Sequence, residues 1–139
     1  DDDAGFNDIF KRPAICFSGG GGLVSTVDDY GRFCRMLLNG GELEGKRILE
    51  ESTVSLIMSD QLPENVQYVR GQGYGLGGSV NLENGSYGWS GAASTSFTVY
   101  PDDNMIIMAF AQFMPSSYSY AGEYKNMVHG ALIENEELD

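Results

Sequence analysis

The chain has 139 residues, a length typical of one domain with a single core. Its 42% apolar and 20% charged residues are ordinary globular usage, which excludes a largely disordered protein. Twenty acidic against eight basic side chains give a net charge of -12, so we expect no nucleic acid partner, since such a surface repels phosphates. The longest strongly apolar stretch, residues 105–113, is about half of the roughly 20 residues that span a membrane, so we expect no membrane partner.

The N-terminal residues lack a periodic pattern. Residues 1–13 open with three aspartates and predict a mobile lead-in, so the fold is expected to occupy residues 14–139. Residues 14–17 form a short apolar run that ends at four glycines and predicts a strand or extended segment. The chain begins at Asp1 and has no leader-like segment, which indicates a truncated N-terminus and leaves the cellular location open.

The next residues predict two helices with a hairpin between them. Thr26 or Ser25 is a good N-cap for a first helix that ends at Gly40-Gly41. Its apolar stripe has helical spacing and consists of Tyr30, Phe33, Met36 and Leu37. Residues 42–49 predict a small hairpin around Glu44-Gly45, and residues 51–59 predict a second helix. Cys34 lies among apolar helical neighbours, so it and Cys16 are expected to be two buried free thiols rather than one disulfide.

From Tyr74 the period of the sequence changes to that of a sheet. Strands are predicted over residues 73–81, 87–89, 94–100 and 105–112, with short turns that make neighbours antiparallel. Residues 105–113 are almost all apolar, the pattern of a central strand covered on both faces. Residues 121–134 have helical spacing and are expected to cover one of those faces. The predicted class is therefore α+β, an antiparallel sheet flanked by helices.

Isolated motifs indicate little chemistry. His129, the single histidine, has the pattern of an ordinary helical residue, and it and two cysteines 18 positions apart do not have zinc-site spacing. Residues 19–22 lack the lysine and hydroxyl residue of a phosphate loop. Since the sequence has neither zinc-site spacing nor a phosphate loop, we expect neither a metal nor a cofactor. Ser90 lies in a hairpin strand with Ala92 in place of the second glycine of a nucleophile elbow, so Ser90 is not expected to be a nucleophile.

Residues 87–95 combine a lone tryptophan with small side chains, which suits either a close substrate or tight packing under a loop. Together with four other pieces, this segment resembles the C-terminal part of the serine beta-lactamase-related family, which includes class C beta-lactamases, penicillin-binding proteins and family VIII carboxylesterases. In chain order the pieces are FSGGGGLVST from Phe17, DYGRF from Asp29, MLLNGG from Met36, YGLG from Tyr74, and GWSGAAST from Gly88, the last followed by YPD from Tyr100.

The resemblance implies the last part of a beta-lactamase/transpeptidase-like fold, including its final strands and C-terminal helix. It implies that Trp89, Ser90 and Gly91 stand at the family's third motif and bind substrate, and that the Ala92 amide is one half of an oxyanion hole. Trp89 stands where many members have a cation, which favours an esterase or a peptidase-like hydrolase over an efficient beta-lactamase.

The sequence departs from the family at its nucleophile. The residues three positions before Lys11, Lys46 and Lys125 are Asp8, Leu43 and Gly122, so the chain contains no Ser-x-x-Lys. Tyr124-Lys125-Asn126 matches the family's Tyr-x-Asn by letters only. We therefore expect a fragment of a hydrolase of esters or amides, inactive alone, that associates with itself or with a missing N-terminal half; the alternative is a non-catalytic binding module.

Overall fold

The computed structural model describes Pro13 and residues 19–21, 23–66, 68–113 and 120–136. The predicted lead-in, apart from Pro13, and the extended segment at residues 14–17 with Cys16 lie outside these residues. Within the part that is described, no helix is long and apolar enough to cross a membrane.

Helix α1 spans Val27–Leu38, and its N-terminus is capped as the sequence predicts. The Thr26 hydroxyl oxygen accepts a hydrogen bond from the Asp29 backbone N–H at 3.1 Å, which satisfies one of the free donors of the first turn. The helix ends where Gly40 and Gly41 adopt positive φ angles of 61° and 97°, a conformation that glycine reaches without steric cost.

The predicted hairpin and second helix follow directly. Strands β1, Glu42–Leu43, and β2, Lys46–Arg47, pair antiparallel. Glu44 and Gly45 between them both have positive φ, the geometry of a two-residue hairpin turn. Helix α2 spans Glu51–Met58 and buries Val54 in the core.

Five strands form the main sheet in the order β3-β4-β5-β6-β7, with every neighbouring pair antiparallel. Their bounds are β3 Gln72–Tyr74, β4 Ser79–Asn81, β5 Tyr87–Ser90, β6 Thr95–Tyr100 and β7 Met105–Phe110. Helix α3, Tyr120–Glu136, follows β7. The α+β class is confirmed, with helices packed on an antiparallel sheet.

Alternate residues of the sheet face two different helices. Phe97 and Val99 of β6 pack with Cys34 and Leu37 of α1 in the core. Tyr100 of β6 lies on the other face, where its ring meets His129 of α3 with centroids 4.7 Å apart. The sheet therefore lies between α1 on one face and α3 on the other, which explains why β6 is buried along nearly its whole length.

Two predictions about strands were wrong in detail. Residues 73–81 form two short strands instead of one, because the Gly75 N–H bonds the Gly78 carbonyl and Gly77 turns the chain at φ 86°. The apolar run at residues 105–113 forms an edge strand of the described sheet, not a central one. Covering of both faces makes a strand apolar whether or not it has a second neighbour, so the pattern does not distinguish the two positions.

Candidate functional site

The candidate site lies at the end of β5, and strand register decides which backbone groups are free there. The Gly91 N–H donates to the Thr95 carbonyl at 2.8 Å, so Gly91 bonds towards β6. Because alternate residues of an antiparallel strand bond to opposite sides, the N–H and C=O of Ser90 point away from β6. Strand β4 begins at Ser79, which pairs with Gly88, so no described strand lies beside Ser90.

A tight turn over residues 91–94 follows β5 and holds Ala92. The Ser94 N–H donates to the Gly91 carbonyl at 3.1 Å, which places Ala92 at the second position of the turn. The buried Ser94 hydroxyl donates to the Phe113 carbonyl at 2.8 Å, and the Phe113 N–H donates to the Ala93 carbonyl at 3.1 Å. The Ala92 N–H has no hydrogen-bond partner among the described residues, and Ala92 is exposed. A free amide is thus held on a turn that is fixed at both ends.

Gly88 of β5 and Gly91, which directly follows β5, are both required by packing against β6. A Cβ at Gly88 would overlap the Phe97 carbonyl oxygen, and one at Gly91 would lie 2.5 Å from the Thr95 hydroxyl oxygen. The sequence leaves two uses of this segment open, a close substrate and tight packing. Tight packing is observed at Gly88 and Gly91, whereas contact of Trp89, Ser90 and Gly91 with a substrate stays a prediction.

A row of aromatic rings stands beside β5. The Trp89 and Tyr74 rings are in edge contact with centroids 5.5 Å apart, and Tyr68 meets Tyr74 at the same distance. Trp89 is 43% exposed and Tyr68 is 44% exposed, so the row presents apolar surface to solvent next to the free end of β5. No sequence pattern predicts that Tyr68 and Tyr74 lie beside Trp89, because only the folded sheet brings these rings together.

The other reactive side chains lie in the core or on helix α3. Cys34 is a free thiol, fully buried in the core, and burial raises its pKa to about 11. His129 packs on Tyr100. Lys125 is the middle residue of the Tyr124-Lys125-Asn126 match and lies in α3, on the face of the sheet opposite α1. Within the described ranges, no three His, Cys, Asp or Glu side chains are close enough together to hold a metal ion.

The fold and this segment fit a domain of the beta-lactamase-like type, and comparisons with known proteins agree. The family described as Beta-lactamase matches residues 1–130. The chain belongs to that family.

Two curated relatives come from Mycobacterium tuberculosis: Protein Rv1367c of strain H37Rv and the uncharacterized protein MT1414 of strain CDC 1551. Each is 32% identical over an alignment of 123 positions, and the match covers 74% of this chain and 30% of the relative. A solved structure from Bacillus anthracis, provisionally named a 6-aminohexanoate-dimer hydrolase, is 26% identical with a TM-score of 0.59. It is matched over 81% of this chain and 30% of its own. The chain thus spans about a third of the length of these proteins.

Proposed function

We propose that this chain is the C-terminal part of a serine hydrolase that cleaves an ester or amide through an acyl-enzyme. The observation that carries the proposal is the free Ala92 N–H on the anchored turn after β5. An acyl transfer passes through an intermediate with negative charge on the former carbonyl oxygen, and a rigid, unpaired amide is the group that stabilises it. Membership of the beta-lactamase family and the likeness to a protein named as a hydrolase support the same reaction class.

The free edge of β5 serves to align the substrate. The outward N–H and C=O of Ser90 have the spacing of a strand that lacks its partner, so an extended acyl chain pairs with them as an added strand would. Trp89 and Gly91 flank this point, and the aromatic row of Tyr68, Tyr74 and Trp89 supplies an apolar wall beside it. Because Trp89 carries no charge, the wall favours an uncharged substrate group, which suits an esterase or a peptidase-like hydrolase.

The nucleophile belongs to the part of the protein that precedes Asp1 in this proposal. The sequence contains no Ser-x-x-Lys, and the reaction needs a serine whose proton is taken by a neighbouring base. This division makes the chain inactive alone and makes the upstream half its partner. The lack of a Ser-x-x-Lys in this chain also favours a second candidate, a beta-lactamase-like module that binds without catalysis.

Two experiments decide between the candidates. The first is the upstream reading frame: a Ser-x-x-Lys before Asp1 supports the enzyme, whereas a start codon at or near Asp1 supports the binding module. The second measures hydrolysis of a p-nitrophenyl ester and a chromogenic cephalosporin by the chain alone and by the chain joined to its upstream half. We expect ester hydrolysis by the joined protein only; activity of the 139 residues alone would place the nucleophile within them.

The Ala92 amide is tested in the joined protein with Ala92→Pro. Proline is favoured at the second position of a turn, so the variant keeps the turn while it removes the N–H. Loss of one oxyanion donor is expected to lower kcat by about 100-fold to 1,000-fold with little change in KM. Ala92→Ser is the matched control, since it alters the side chain and retains the amide. An Ala92→Pro protein that is folded and fully active would refute this role.

A further inference from the structure

A polar cavity of about 340 Å³ opens between α3 and the sheet face that is turned away from α1. Strands β3 to β6 and the β4–β5 turn supply its walls, and Lys125 enters it from α3. The whole chain carries 20 acidic side chains, yet none of the described residues that line this cavity is Asp or Glu. A polar pocket without acids in so acidic a protein is suited to a ligand that carries negative charge.

Lys125 is the charged group of the cavity. It is half-buried, and this burial lowers the pKa of its ammonium group, since desolvation disfavours the charged form. Lys125 forms no ion pair with any residue in the described part of the chain. An ammonium that is partly removed from water and lacks a counter-ion gains more from an incoming anion than an exposed lysine does.

Thr98 supplies a second unused group. Its side chain is 5% exposed, and its hydroxyl oxygen is buried without a hydrogen-bond partner. A buried hydroxyl normally has a partner, so this hydroxyl beside the cavity is a donor left for a ligand atom. Gly88 keeps the approach open, because a Cβ there would stand 3.0 Å from the Thr98 hydroxyl oxygen. Burial raises the pKa of Tyr100, and attraction from the nearby Thr98 hydroxyl partly offsets that rise, although the Thr98 oxygen has no partner with full hydrogen-bond geometry.

Two asparagines add further donors. The Asn81 side-chain oxygen accepts from the Glu83 N–H at 2.8 Å, and the Asn84 side-chain oxygen accepts from the Ser86 N–H at 3.1 Å. Since each oxygen is used by the backbone, each amide nitrogen is the part that remains for a ligand, and a nitrogen of this kind only donates. An ammonium, a hydroxyl and two amide donors thus line one cavity.

We propose that this cavity binds a small polar carboxylate, whose charge pairs with Lys125 and whose oxygens accept from Thr98 and the asparagine amides. One cation balances one carboxylate, whereas a phosphate dianion would leave excess negative charge in a protein of net charge -12. Trp89 and Ser90 line this cavity and also belong to the candidate site at the end of β5. The charged group, Lys125, and the unpaired hydroxyl, Thr98, lie on α3 and β6, so the inference is independent of the proposed hydrolase reaction.

The test uses the fluorescence of Trp89, the single tryptophan, which lines the cavity. The chain is titrated with N-acetylglycine, with its uncharged amide N-acetylglycinamide, and with inorganic phosphate. We expect saturable binding of N-acetylglycine that is about tenfold or more tighter than that of the amide, because one charge-assisted contact is lost. Equal binding of acid and amide, tighter binding of phosphate, or no saturable change would overturn the proposal.

Variants assign the contacts. Lys125→Met and Thr98→Val are expected to weaken N-acetylglycine binding by about tenfold and by about threefold or more, respectively. Lys46→Met removes an exposed lysine from β2 and is the matched control with unchanged binding. Circular dichroism checks that each variant is folded, and the comparison of acid with amide on the unaltered chain needs no variant. A folded Lys125→Met protein that binds as tightly as the original would refute the assignment of Lys125.

Discussion

Cys34 is the residue at which burial has its largest chemical effect. Its side chain is fully buried between α1 and the sheet, and its pKa is raised from 9.0 to about 11 because the thiolate would be desolvated. The thiolate is the reactive form of cysteine, so a buried thiol with a raised pKa is slow to react. Cys34 is thus a core residue, and its chemistry reports on the integrity of the core.

The raised pKa predicts how stability depends on pH. Because the fold holds the Cys34 proton more tightly than the unfolded chain does, the contribution of Cys34 to the free energy of unfolding is fully present below pH 9 and is lost as the pH rises through about 11. The two-unit difference corresponds to about 2 to 3 kcal/mol. Urea unfolding of the original chain and of Cys34→Ala at several pH values in this window measures it. The variant is expected to lack this part of the decline, and parallel curves for both proteins would contradict the explanation.

Thr26 makes the other residue-scale prediction, because its hydroxyl caps α1. Thr26→Ala leaves the Asp29 N–H without its acceptor and is expected to lower the free energy of unfolding by about 1 kcal/mol. Ser25→Ala is the control, since the Ser25 hydroxyl bonds only the Thr26 carbonyl, at 3.4 Å. Urea unfolding distinguishes the two variants. Equal losses would show that the cap contributes nothing specific.

At the scale of the element, close approach decides the β5–β6 pair. Gly88→Ala would force a methyl group onto the Phe97 carbonyl oxygen, so the strands must separate, and we expect a loss of about 3 kcal/mol or more. Gly130→Ala is the same chemical change in helix α3, where the added methyl meets no atom within 4 Å, and a gain of up to about 1 kcal/mol is expected. Thermal unfolding of both variants checks the opposite signs. A Gly88→Ala protein as stable as the original would refute the contact.

Elements with local causes are the ones that the sequence predicts well. The cap at Thr26, the Glu44-Gly45 turn and both short helices depend on neighbouring residues, and the structure confirms them. The GWSGAAST segment was recognisable from its residue types alone. The outward direction of the Ser90 backbone, the aromatic row at Tyr74 and the unpaired Thr98 hydroxyl depend on strand register. Register joins residues far apart in sequence, and no local pattern predicted it.

At the scale of the whole molecule, the β7 edge of the sheet is long, apolar and without a neighbour among the described residues. Strand β7 pairs with β6 on one side only. The Ala111 N–H bonds the Ser94 carbonyl, so by alternation Ala109 and Ile107 also bond β6, and the N–H groups of Ile106, Met108 and Phe110 point to the open side. An apolar edge of six residues is a surface for strand pairing. The upstream half of the protein is the partner that our proposed function provides.

The amides of β7 test this partnership directly. In the isolated chain, those of Ile107 and Ala109 are expected to exchange slowly with solvent deuterium, and those of Ile106, Met108 and Phe110 about as fast as exposed amides. In the protein joined to its upstream half, all five should be protected, because the open side gains a strand. Protection of the outward amides in the isolated chain that grows with protein concentration would show that copies of the chain pair with each other at this edge. Outward amides that exchange equally fast in the isolated and the joined protein would show that the upstream half docks elsewhere.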